Sequence, residues 1–128
     1  MTSETQDIES LAKQVESHPD YRVLRRLKPQ TEFSVQAKGA IARGVVVDTE
    51  TTGTDPSADE IIEIGMVVFE YDTATGYALR VVDIYDALEQ PSHPIPPEVT
   101  QIHGITDAMV VGKRIDDQRV ASMLENVT

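Results

Sequence analysis

Apolar residues change their spacing along this chain, and the changes mark its elements. In residues 1–17 a polar tail grades into Ile8, Leu11 and Val15, whose three- and four-residue steps predict a helix. A second short helix is expected from Pro19, which suits a first helical turn. It carries Tyr21, Val23, Leu24 and Leu27, and Pro29 helps to end it. Residues 30–40 follow neither period and read as an irregular linker. The three consecutive β-branched residues Val45, Val46 and Val47 then predict a buried strand over residues 41–50. A polar loop with Gly53 and Pro56 leads into a long strand over 60–71, where Gly65 marks a bulge or a close backbone approach. Asp72-Thr73-Ala74-Thr75-Gly76 reads as a turn, and residues 77–85, rich in Val and Ile, as a third strand. Such short connections imply an antiparallel meander.

Residues 87–97 hold four of the seven prolines and must be extended. Pro97 can open a short helix, Glu98 complements its dipole, and Gly104 can cap its end. Thr106 is placed to cap another turn through Val110. Asp116 and Asp117 precede a last helical pattern with Val120, Met123 and Leu124. No repeat or low-complexity tract interrupts the sequence, so the pattern is α/β. It divides into a helical extension and linker over 1–40 and a mixed unit over 41–128.

The chain has 128 residues, one domain's worth or less, and is 40% hydrophobic but only 5% aromatic, enough for a modest aliphatic core. It has no cysteine, which excludes disulfides and thiolate metal sites. No apolar run reaches transmembrane length and residues 1–9 do not resemble a signal peptide, so a cytoplasmic protein with no membrane partner is expected. Acids outnumber bases by 22 to 11, for a net charge of −11. Phosphate backbones are bound through Lys and Arg, so tight sequence-independent binding of duplex is not expected from this chain. The excess serves solubility, or part of it belongs to a site where bound cations supply the missing charge. Four of the eleven bases (Arg22, Arg25, Arg26 and Lys28) fall in one segment, readable as a phosphate-contacting patch or as the solvated face of a helix.

The chemistry centres on the end of the first strand. Side chains alternate across a strand, so Asp48 and Glu50 leave the same face with Cα atoms roughly 6–7 Å apart. Two such acids repel unless a proton or cation sits between them, and hard ions such as Mg²⁺ or Mn²⁺ suit oxygen ligands. Solvated strand-end acids are the plainer alternative. Gly53 allows a sharp turn or a close approach to a ligand.

Three segments in order carry a family resemblance: Asp48-Thr49-Glu50-Thr51-Thr52-Gly53, then Asp59-Glu60-Ile61-Ile62-Glu63-Ile64-Gly65, then residues 95–107 with Ile102-His103-Gly104. Together they resemble the DEDD 3′–5′ exonucleases, in the branch of the proofreading (epsilon) subunit of bacterial DNA polymerase III. The resemblance spans about residues 44–110. It implies a ribonuclease H-like fold and phosphodiester hydrolysis at the 3′ ends of single-stranded nucleic acid with two metal ions, Mg²⁺ or Mn²⁺. In that scheme Asp48 bridges both ions and Glu50 binds the one that activates water. Thr51, Thr52, Ile102 and His103 match positions beside the terminal nucleotide. Without the resemblance, the threonines read as turn residues bonding their own backbone, and His103 as a helix-end residue bonded to a carbonyl. Glu63 reads as an acid behind the metal ligands or as the solvent-side member of an alternating strand.

The family's second and third motifs, an Asn-x-x-Phe-Asp type segment and a late His and Asp, have no counterpart here. The expectation is therefore the N-terminal part of a longer protein, an incomplete domain that is not an efficient nuclease alone. Its Asp-x-Glu strand would lack a neighbour, so the isolated chain is expected to associate with itself or with its complement. Partnership with a polymerase is implied only by analogy. The competing readings are a non-catalytic interaction module of the same fold and another metal-dependent phosphodiesterase on the same scaffold.

Overall fold

A computed structural model describes residues 3–125 and 127. Its elements run α1 (Ser3–Glu16), β1 (Ile41–Thr51), β2 (Ile61–Asp72), β3 (Ala78–Leu88), α2 (Pro97–His103), α3 (Asp107–Val110) and α4 (Asp117–Leu124). The strands form one antiparallel sheet in the order β1-β2-β3. This is the α/β arrangement, a three-stranded antiparallel meander with flanking helices, that the strand pattern and short connections predict. The β2–β3 turn closes through Gly76 N–H to the Asp72 carbonyl at 2.7 Å, with Gly76 at φ +75°, a backbone region open to glycine at little cost.

Register assigns each side chain a face. Val45 lies opposite Val68, Asp48 opposite Gly65 and Glu50 opposite Glu63, while Gly65 and Glu63 in turn face Asp86 and Leu88 of β3. One face carries Ile64, Met66 and Val68, which pack with Met123 of α4; Val45, Tyr85, Ala87, Ile115 and Val120 flank them. α4 is held there by its cap: the Asp116 carboxylate accepts from Gln118 and Arg119 N–H at 3.0 and 3.1 Å. Arg119 also reaches across to Asp83 at 2.5 Å.

A second cluster lies at the sheet's end. The β1–β2 register shifts between Glu50 and Thr51, leaving Ile62 without a β1 partner. Ile62 is fully buried among Ile95, Ile105 and Val110, so the proline-rich segment, α2 and α3 are clamped beside the Asp48–Glu50 strand end. Burying each such aliphatic side chain contributes about 1.5–3 kcal/mol. α2 ends at Gly104, φ +79°, in the expected left-handed cap. Thr106 occupies the cap position of α3 but makes no side-chain cap bond. The neighbouring Asp107 carboxylate instead accepts from Ile95 N–H at 3.0 Å.

Three local expectations are corrected: a helix after Pro19, a buried strand over residues 41–50, and a bulge or close approach at Gly65. In the strand, pairing on one edge only among the described residues leaves Val46 and Val47 58% and 47% exposed. Residues 21–30 are not helical: Leu24 and Leu27 stay 88% and 89% exposed, so no packing supports an amphipathic turn. Arg25 instead clips the segment to α1 through Glu9 at 2.9 Å and Glu16 at 3.3 Å. The linker is irregular but tethered, because Phe33 N–H donates to Leu79 O and Val81 N–H to Thr31 O on the outer edge of β3. Gly65 is neither bulged nor crowded. It pairs on both sides, and a Cβ built there meets nothing within 4 Å.

Candidate functional site

The face opposite the α4 core is open, and the acids lie on it. Strand alternation puts Asp48 and Glu50 together there, as the sequence predicts, and register adds Glu63 beside Glu50 and Asp86 across Gly65 from Asp48. The missing side chain of Gly65 leaves a gap in the row Asp48–Gly65–Asp86. A cleft of about 180 Å³ opens there, lined by Asp48, Thr49, Glu50, Glu63, Gly65 and Asp86. Glu63 is thus on the solvent-side face, as one alternative had it, yet only half-exposed and in the same cleft as the predicted pair. Burial pushes its carboxyl above the usual range, and repulsion from Asp86, Glu50 and Asp48 adds to this while His103 opposes it.

The loop after β1 is rigid by its own hydrogen bonds. Thr52 is buried; its hydroxyl donates to Asp59 at 3.0 Å and accepts from Glu60 N–H at 2.9 Å. The Thr51 hydroxyl donates to Gly53 O at 2.5 Å. Both hydroxyls are therefore engaged as turn residues. Gly53 packs so closely on the Asp59 carboxylate that a Cβ would collide with it, a close approach to the chain's own side chain rather than the ligand contact its position suggested.

His103 ends α2 half-buried, with an unexpected partner: Nδ1 accepts from Ile105 N–H at 3.0 Å rather than the ring bonding a carbonyl. In the neutral ring the proton then sits on Nε2, which is enclosed and has no hydrogen-bond partner among the described residues. Its neighbour Ile102 is 84% exposed, an apolar side chain held toward solvent by a pinned helix. The structure thus joins Asp48 and Glu50 in one cleft, while Thr51 and Thr52 lie in the loop that follows and do not line it. His103 lies near enough to act on the charge of Glu63.

The donor set is all oxygen, which fits a hard divalent ion, and Gly65 leaves the space beside Asp48 that an ion needs. Among the described residues, no group of three or more His, Cys, Asp or Glu is placed to hold a metal. Asp48 and Glu50 thus stand in the cleft as a pair of carboxylates with Glu63 and Asp86 beside them. Sequence reasoning passed over Asp86. Its alternation with Tyr85 and Ala87 was visible, but only the pairing of β2 with β3 brings it to Gly65.

Comparisons with known proteins show the family to which the chain belongs. A family model described as Exonuclease (RNase_T) matches residues 45–127. The PolC-type DNA polymerase III of Thermotoga maritima is 44% identical over 92 residues, covering 72% of this chain and 6% of that protein. The epsilon subunit of DNA polymerase III from Treponema pallidum is 41% identical over 66 residues, covering 52% of this chain and 27% of the relative. A crystal structure of a full-length 3′-exonuclease superposes with a TM-score of 0.49 at 22% identity, over 70% of this chain and 30% of the other. The matched part of the chain thus spans 6% to 30% of the length of these proteins.

Proposed function

This chain belongs to the exonuclease family, and on that premise we propose that it carries the first metal-binding motif of a 3′–5′ exonuclease acting on single-stranded nucleic-acid ends. The observation that carries the reading is the side-by-side emergence of Asp48 and Glu50 into a cleft kept open by Gly65. These two residues would hold Mg²⁺ or Mn²⁺, two ions in a complete site, which when bound activate water and offset charge on the phosphate. The chain's own residues do the positioning. The Thr51–Thr52 loop, locked by Asp59, offers backbone groups to the terminal nucleotide. The Nε2 of His103 is enclosed and lacks a hydrogen-bond partner among the described residues, so it would donate to a terminal nucleotide only once a shift of the ring or of its cover exposes it. Exposed Ile102 offers an apolar surface to the base or sugar directly.

Two carboxylates hold a hard cation weakly, so the chain alone is a poor nuclease on this reading. Partnership with a polymerase, DNA as substrate and a cytoplasmic setting belong to the proposal by analogy with the named relatives. Among the described residues, no helix is long and apolar enough to cross a membrane. The test is Mn²⁺-dependent binding of a single-stranded oligonucleotide to the purified chain. The proposal expects binding that Asp48→Ala and Glu50→Ala each weaken at least tenfold, with little end trimming. Binding indifferent to both substitutions would mean a non-catalytic interaction module. Rapid trimming that Asp48→Ala abolishes would show the two-ligand account of weakness to be wrong.

A further inference from the structure

The carboxylate cleft does not end at Asp86. A second hollow, of about 420 Å³, starts from the same two side chains, Glu63 and Asp86, and continues past Ala87 and Leu88 to Lys113 and Arg114. The two hollows therefore form one groove, running from β1 over β2 to the outer edge of β3. Lys113 and Arg114 sit at its far end because their backbone is pinned there. Gln90 N–H donates to Lys113 O at 3.0 Å, Lys113 N–H to Val110 O at 2.9 Å, and Gly112 N–H to the Gln90 side chain at 2.7 Å. Gly112 makes the turn at φ +68°.

Their side chains are exposed and in no ion pair among the described residues. Arg25, Arg43, Arg80 and Arg119, by contrast, are each paired with carboxylates. In a chain of net charge −11, two uncommitted cations at the mouth of a groove whose floor is acidic are a local reversal of sign. A polyanion lying along the groove would be repelled at Glu63 and Asp86 and attracted beyond them.

Resting on the reading of Asp48 and Glu50 as the reacting end, we infer that Lys113 and Arg114 hold backbone phosphates of the single strand whose 3′ end lies at that pair. The span from β1 to beyond β3 is two to three strand spacings, ~10–15 Å, so the contact falls upstream of the terminal nucleotide. A dinucleotide ends short of it and a longer strand reaches it. These residues thus select for strand length, and their contacts are to phosphate and carry no base preference.

Binding of a dinucleotide and of an octanucleotide to the chain in Mn²⁺, each followed by fluorescence anisotropy across a salt series, tests this. The Lys113→Ala/Arg114→Ala variant should lose affinity for the octanucleotide, with the slope of log K against log salt falling by about 1.4, about 0.7 per phosphate contact. The dinucleotide should bind as before, and Lys113→Arg/Arg114→Lys should restore the slope. An unchanged octanucleotide slope, with Asp48→Ala still weakening binding, overturns the inference and leaves the site reading standing. Octanucleotide binding that ignores Asp48→Ala, or none at all, removes the site reading and this inference with it.

Discussion

Gly65 shows how much one absent side chain decides. It sits between Asp48 and Asp86 in a fully paired strand, and a methyl group there would meet no atom within 4 Å. Gly65→Ala should therefore fold well and gain about 0.5–1 kcal/mol, the usual cost of glycine inside a strand. The same methyl intrudes on the cleft beside Asp48, so Mn²⁺ affinity should fall while the urea midpoint rises. A variant that loses stability and keeps its affinity would contradict this account. At this scale the sequence was informative about Asp48 and Glu50, since alternation along one strand is a local property. It was mute on Asp86, and it left open whether the hydroxyls of Thr51 and Thr52 face a ligand or their own loop. Those answers depend on Asp59, Glu60 and Gly53 converging.

Among the elements, the linker before β1 stays irregular as the sequence predicts, and tertiary structure adds the contacts that fix it. The Asp72 carboxylate is fully enclosed and accepts from Lys38 N–H at 3.0 Å, Gly39 N–H at 2.9 Å, Ala74 N–H at 3.0 Å and the Thr75 hydroxyl at 2.8 Å. It joins the linker to the β2–β3 turn. The Lys38 and Ala74 amides, with Thr75 and Gly39, hold its pKa at about 2, against an ordinary value near 3.8. Because the folded value is the lower one, this contribution to stability is complete above the ordinary value and is lost as pH falls toward about 2. Asp72→Asn should lower the melting temperature by several degrees at neutral pH, and the gap to the unaltered chain should close as the pH of the melt approaches 2. A gap that persists there would place the effect elsewhere. The strands and α2 were readable because β-branched runs, Pro97 and Gly104 act locally. The helix expected after Pro19 failed because its apolar residues have nothing to cover them.

For the whole molecule, charge and edge oppose each other. Among the described residues β1 pairs only with β2, so its other edge is open, and Val46 and Val47 are 58% and 47% exposed. Such an edge invites pairing, while a net charge of −11 pushes copies apart. Screening length falls from ~30 Å at 0.01 M salt to ~3 Å at 1 M. Sedimentation should therefore show association that grows with salt, and Val46→Lys should suppress it. A chain that stays monomeric in high salt at high concentration would show the edge to be protected.

What the sequence determined unaided were the properties carried by near neighbours: the periods of the three strands and of most of the helices, the turn at Gly76, the cap at Gly104, and the shared face of Asp48 and Glu50. These need only a few residues of backbone geometry. Tertiary structure alone decided the rest: Glu63 and Asp86 in the acid cleft, the Asp72 clamp, and the groove reaching Lys113 and Arg114. Each joins residues whose separation along the chain says nothing of their distance until β2 has paired on both sides. Register, set by burial of Ile64, Met66 and Val68 on one face, is the physical step that turned a row of alternating residues into a site.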